Sequence, residues 1–192
     1  MRICLLVLIS AAVFSSAYSQ THSTNSAAVA GMQRKIEHIQ HNAAQPRPDQ
    51  TPTVFTEQEV NAYVASDNVR LPNGVQSVTF RGQPGVVVAA TRVDFDRLKA
   101  GRNSSNPLLS MFSGIHDVVV NADARGAGGQ GIVHVNSVSL DNVEIPRFVL
   151  QLFVEKYLQP KYRNIGLDSR FRLPDRVDIA RVGLHQLTVT QK

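Results

Sequence analysis

An α+β fold is what the patterning of this 192-residue chain predicts, and three observations carry it. A capping box opens a helix at Thr56. Apolar residues alternate with period two through most of residues 75–140. Residues 146–158 then form one helix that is apolar nearly all round. Hairpins in one run and helices in others indicate antiparallel sheet with helices laid on it.

The first element lies outside the fold. Met1-Arg2 is followed by an apolar run from Ile3 to Phe14, then by Ser15-Ser16-Ala17-Tyr18-Ser19-Gln20. A positive start, a short apolar run and small residues at the cut are the three parts of a secretory signal. Ser15 and Ala17 fit the cut site, giving a chain that starts at Tyr18. Ala17 and Ser19 fit equally well, giving a start at Gln20. The run is shorter than the roughly 20 residues that span a bilayer, which favours cleavage over a retained anchor. Residues 1–19 are therefore expected to be a signal peptide, and the protein periplasmic or extracellular. Cys4, the chain's single cysteine, leaves with the signal, so the mature chain is cysteine-free. Disulfides, a thiol nucleophile and thiolate metal sites are then excluded.

Residues 20–53 are polar, rich in Ala, Gln, Asn, Thr and His, and carry Pro46, Pro48 and Pro52 near their end. Val29, Met32, Ile36 and Ile39 make one apolar stripe if helical, with Gly31 interrupting it. A partly disordered segment with a short docking helix and a Pro-bearing linker is the expectation.

The domain proper runs over residues 54–192. In Thr56-Glu57-Gln58-Glu59, Thr56 can accept from the backbone of Glu59, whose carboxylate can reach back to Thr56. Phe55 and Val60 occupy the positions of a hydrophobic staple, and Val60, Tyr63 and Val64 continue the helical face. Pro72-Asn73-Gly74 turns the chain. Val78 and Phe80 then alternate with polar neighbours; after Gly82-Gln83-Pro84-Gly85, residues Val87, Ala89, Thr91, Val93 and Phe95 share one face, with Arg92, Asp94 and Asp96 opposite. This is a hairpin with one wet face. A second hairpin places Val118, Val120, Ala122 and Ala124 on one side and turns at Gly126-Ala127-Gly128-Gly129. Its return strand carries Val133 and Val135, then Val138 and Leu140 on the other parity, which predicts a bulge near Asn136-Ser137. Pro146 suits the start of the apolar helix that ends before Pro160. Arg170-Phe171-Arg172-Leu173-Pro174 leads to Val177, Ile179, Val182, Leu184, Leu187 and Val189, a last strand pair or one bent strand.

Composition limits the chemistry. The net charge of +5 is spread along the chain, and loss of Arg2 reduces it by one. That is enough for solubility and for peripheral attraction to an anionic membrane surface. Without a basic run or interleaved aromatics, nucleic acid is not an expected partner. With no Trp, the core is expected to be aliphatic, built from Val, Leu, Ile and Phe. No phosphate loop, nucleophile elbow or zinc-protease motif occurs, and no cofactor or metal is expected. His38 and His41 read as surface residues, and His116, His134 and His185 as solvent-facing on strands. Asp94 and Asp96 match the wet side of a strand better than an acid–base pair. Asn103-Ser104-Ser105 fits the glycosylation sequon.

The helix at 146–158 has more apolar surface than one small sheet needs. A sheet that bends at bulges and wraps such a helix can leave a groove for a hydrophobic ligand, or the helix can simply be core. The opening Phe55-Thr56-Glu57-Gln58-Glu59-Val60-Asn61-Ala62-Tyr63-Val64, the Gly-turned hairpins, the apolar helix and Phe171-Arg172-Leu173-Pro174 resemble the LmeA-type phospholipid-binding family of bacterial envelope proteins. They also resemble half-domains of the TULIP lipid-binding class. The resemblance covers roughly residues 54–190 and is one of pattern. It implies a curled antiparallel sheet wrapped around the apolar helix, and a non-enzymatic binder of lipid or another apolar small molecule. The implied binding surface is Phe148, Leu152, Phe153 and Leu158 from the helix with Val87, Val93, Val118, Val120 and Val133 from the sheet. A structural or adaptor domain with a solid core and a protein partner, engaged through residues 27–40, is the other expectation.

Overall fold

A long hairpin is the spine of the molecule. Strands β4 (Ile115–Ala127) and β5 (Gln130–Leu140) turn through Gly128 and Gly129, whose φ of 60° and 74° lie where a side chain is strained. The computed structural model describes residues 23–99, 105–162 and 165–192. The expected signal, residues 1–19, lies outside the described residues, as do Asn103 and Ser104 of the sequon.

The chain is α+β, with an open sheet of nine strands among the described residues. Every pairing is antiparallel. One edge of β4 takes β3 (Val86–Asp94) and then, at Arg125-Gly126, β8 (Val177–Gly183). Beyond β3 lies β2 (Val75–Gln83); beyond β8 lie β9 (Gln186–Gln191) and β1 (Thr53–Thr56). The far edge of β5 takes β7 (Asp168–Arg172) near the turn and the short β6 (Val143–Glu144) at its other end. The expected bulge is present: Asn121 pairs with Ser137 and Ala122 with Val135, leaving Asn136 as the extra residue. It keeps Val133, Val135, Val138 and Leu140 on one face despite their change of parity.

All the helices among the described residues lie on that face. They are α1 (Ser23–Ala43), α2 (Glu57–Val64), the short α3 (Phe95–Lys99) and α4 (Arg147–Phe153), which runs on into a π turn at Val154–Leu158. Two cores form beneath them. One gathers Val93, Phe95, Phe112, Val118, Leu140 and the inner side of α4; the other joins α1 and α2 to Phe55, Val177 and Val189.

The capping box forms as its residues dictate. Glu59 N donates to Thr56 Oγ1 at 3.2 Å, and Thr56 N donates to Glu59 Oε2 at 2.8 Å. The same carboxylate takes Lys35 Nζ at 2.7 Å, which fastens α2 to α1. Burial works to raise the Glu59 pKa, but Lys35 and the Thr56 donors outweigh it and hold the group below its usual value. Where the sequence suggested a short helix in a partly disordered segment, α1 has 21 residues. Its stripe explains the length, because a helix of low intrinsic stability persists when one face is docked. Met32, Ile36 and Ile39 are buried, and Gly31 leaves room for Glu59, whose Oε1 would sit 2.8 Å from an added Cβ.

One expectation needs correction. Phe95 and Asp96 do not extend the strand: Asp94 Oδ1 accepts from the backbone of Asp96 and Arg97 at 3.1 and 3.0 Å and starts α3 instead. The core under α4 holds Phe95, Phe112 and Phe153, residue types the sequence led one to expect, and adds Tyr157.

Candidate functional site

Pro146 caps α4 with φ −56°, and Val149, Leu150, Phe153, Val154 and Tyr157 point to the sheet. A π turn carries one extra residue per turn. In this helix that keeps Val154 and Tyr157 inward after Phe153. Phe153 sits in an aromatic layer, its ring centroid 4.2 Å from Phe112, 5.5 Å from Phe95 and 5.2 Å from Tyr157. The helix–sheet interface is therefore filled. The outer side differs: Phe148 is 59% exposed, and Leu152, one turn on, is half-buried. The 3-10 turn Pro107–Leu109 packs against α4 and brings up Leu108 and Met111, 43% and 41% exposed.

The structure divides the sequence-derived binding residues. Val93, Val118 and Phe153 lie inside the core, with Val120, Leu152 and Leu158 packed against it. Val133 is buried near the hairpin turn and Val87 is half-buried, both outside that cluster. Phe148 stands apart from the others on the solvent side. Leu108 and Met111 were missed. The run Pro107-Leu108-Leu109 carried a signal, but an apolar tripeptide after a polar loop gives no direction.

A cleft of about 240 Å³ opens beside the start of α4, lined by Asn136 and Ser137 of the bulge, Glu144, Pro146, Arg147 and Leu150 among others. Arg147 closes one end, donating to Val135 O at 2.8 Å and to Asp168 Oδ2 at 2.7 Å. Asp168 also meets His134 Nδ1. That hydrogen bond first, with the Arg147 charge, holds the Asp168 carboxyl below its usual range. The register of β5 on β7 creates this group, and sequence spacing gave no hint of it.

His116 was expected to face solvent, yet it lies on the inner side of β4 with its ring 6.0 Å from that of Phe95. Nδ1 is 2.6 Å from Asp141 Oδ2 and Nε2 is 2.7 Å from Ser113 O. Both neighbours only accept here, so the doubly protonated ring satisfies them best. Asp141 chiefly, then Ser113, outweighs burial and raises the His116 pKa. Both nitrogens are engaged in these two contacts. His134 is exposed on the other face, and His185 Nδ1 lies 2.8 Å from Glu57 Oε2 in the turn between β8 and β9. Asp96 Oδ2 accepts from Gly114 N at 3.0 Å, so Asp94 and Asp96 organise turns rather than face each other. His41 contacts the Gln45 amide. Among the described residues no group of three or more His, Cys, Asp or Glu could hold a metal ion. No helix among them is long and apolar enough to cross a membrane.

Comparison with protein-family models, curated proteins and solved structures gives no match.

Proposed function

We propose that this is an exported, non-enzymatic protein that binds a lipid or another apolar ligand on the α4 side of its sheet. The observation that carries the reading is the exposure of Phe148 on α4 and of Leu108 and Met111 in and just after the 3-10 turn that packs against α4. Solvated apolar side chains from two neighbouring segments favour an apolar partner. Ligand reaches this apolar rim first, and α4, held between Pro146 and the π turn, tilts away from β4 and β5 to admit it. In that state the sheet curls around the helix, and the ligand meets Val118, Val120, Leu152 and Leu158. The cleft of about 240 Å³ is smaller than the roughly 300–1,000 Å³ of ordinary ligand pockets, which is why the reading requires α4 to move.

Mass spectrometry of organic extracts from the purified mature protein, with titration of a fluorescent apolar probe, tests this. The expected result is stoichiometric lipid and probe binding that Phe148→Ser with Met111→Ser weakens at least tenfold while the circular dichroism spectrum is kept. Absence of both lipid and probe binding refutes it. The filled interface around Phe153 favours a second reading, an adaptor domain whose rim meets a protein partner. That reading gains if the rim variants bind probe as the parent does.

A further inference from the structure

The face of the sheet turned away from the helices carries a row of arginines. Register places Arg181 of β8 directly opposite Arg125 of β4, Arg125 opposite Ile132 of β5, and Ile132 opposite Arg170 of β7. Partners across a ladder point to the same face, and here that face is the open one: Arg125, Arg170 and Arg181 are all exposed. The row crosses four adjacent strands, a span of about 14 Å at the usual strand spacing. Arg172 follows two residues after Arg170 on the same side.

Among the described residues no carboxylate forms an ion pair with Arg125, Arg170 or Arg181. Asp168 is engaged by Arg147 and His134, and Asp178 is paired with Lys192; Asp123, two residues before Arg125 on the same face, accepts from Asn136 Nδ2 at 2.9 Å and keeps its charge. Like charges directly opposite on neighbouring strands destabilise a sheet. The Arg125–Arg181 pair is such a contact in the free protein, and an anion lying across it turns repulsion into attraction. Guanidinium groups also give forked donors that match phosphate and sulfate oxygens.

We propose that this row is a binding surface for a linear polyanion, a polymer bearing phosphate or sulfate groups at short intervals. The span is too wide for a single phosphate and suits successive groups along an extended chain. Alternation places no Phe or Tyr on this face among the described residues, and the ring of His134, held by Asp168, is the one aromatic ring there, so a ladder of stacked bases has little to rest on. The apolar rim of Phe148 lies on the opposite, helix-bearing side, so a flat membrane cannot touch rim and row together. The inference stands apart from the ligand reading of α4, because the two surfaces share no residue.

The test is binding of heparin and of long-chain polyphosphate by the full mature protein over a salt series. Arg125→Gln, Arg170→Gln and Arg181→Gln combined is compared with Arg34→Gln, Arg47→Gln and Arg70→Gln combined, which removes the same charge elsewhere. The row variant is expected to bind at least tenfold more weakly with a log–log salt slope lower by about two to three, while the control keeps its affinity. The row variant is also expected to melt no lower than the parent, since a repulsion is removed. Equal losses in the two variants, or no binding by the parent at 0.1 M salt (roughly a 10 Å screening length), overturn the proposal. Binding to phosphatidylglycerol vesicles through the row without binding to either polymer overturns it as well and assigns the row to a membrane.

Discussion

Phe148 and Phe153 lie five positions apart on one apolar helix, yet truncating them should have opposite consequences. Phe153 is 5% exposed, with three aromatic rings within 5.5 Å of its own by centroid. Phe153→Ala removes the transfer energy of a buried ring and leaves a cavity that its neighbours close only in part, a loss of about 3–5 kcal/mol. The lost ring pairs, at about 0.5–1.5 kcal/mol each, place it in the upper part of that range. About 4 kcal/mol is a large share of the roughly 5–15 kcal/mol that holds a domain together. With a urea slope near 2 kcal/mol per M, the midpoint should fall by about 2 M. Phe148, at 59% exposure, has little to lose, and Phe148→Ala should stay within about 0.5 kcal/mol of the parent. Equilibrium urea unfolding of the mature protein, followed by far-UV circular dichroism, reads both. A Phe153→Ala loss under about 1.5 kcal/mol, or a Phe148→Ala loss as large as that of Phe153→Ala, refutes the assignment of one ring to the core and the other to the rim.

Asn42 Nδ2 donates to Gln191 Oε1 at 2.8 Å inside the core, while Gln191 Nε2 donates to Ile39 O at 2.8 Å. Asn42→Ala should cost about 2 kcal/mol and make α1 the first element to lose hydrogen-exchange protection; protection of α1 unchanged from the parent contradicts this. A Cβ added at Gly74, where φ is 93°, meets Asp94 O at 2.5 Å and Leu98 N at 2.6 Å. Gly74→Ala is therefore expected to cost about 2 kcal/mol or more in the same urea assay, and a neutral result overturns the close approach. The raised pKa of His116 sets the sign of its pH dependence. A group whose folded pKa exceeds its unfolded value stabilises fully below the unfolded value, about 6.5, and loses that contribution as pH rises through the folded one. His116→Gln should thus lower the melting temperature more at pH 5.5 than at pH 9, and an equal drop at both removes the imidazolium from the account.

Local chemistry was legible in the sequence wherever a few neighbouring residues decide the outcome. The box at Thr56 and Glu59 and the bulge at Asn136 are set within four residues, and both are where the pattern placed them. The alternation of Val87 to Val93 and of Val118 to Ala124 gave the inner face of two strands. Phe95 misled because alternation continued through it, while the capping power of Asp94 overrode the period. The rim and the arginine row were illegible for a different reason. The 3-10 turn and α4 meet through packing, and Arg125 joins Arg170 and Arg181 through register, so each set draws on segments far apart in the chain. His116 shows the same limit, since its parity was misread and its partner Asp141 lies across a hairpin.

The position of β9 governs when this molecule can fold. It occupies the interior of its half of the sheet, between β1 and β8, and it reaches α1 through the Asn42–Gln191 contact, 149 positions apart. On a ribosome, Met32, Ile36, Ile39 and Phe55 wait without their partner until residues 186–191 have been made. A nascent chain of this design has its central hairpins to form early, and the second core closes in one step once β9 is available rather than gradually.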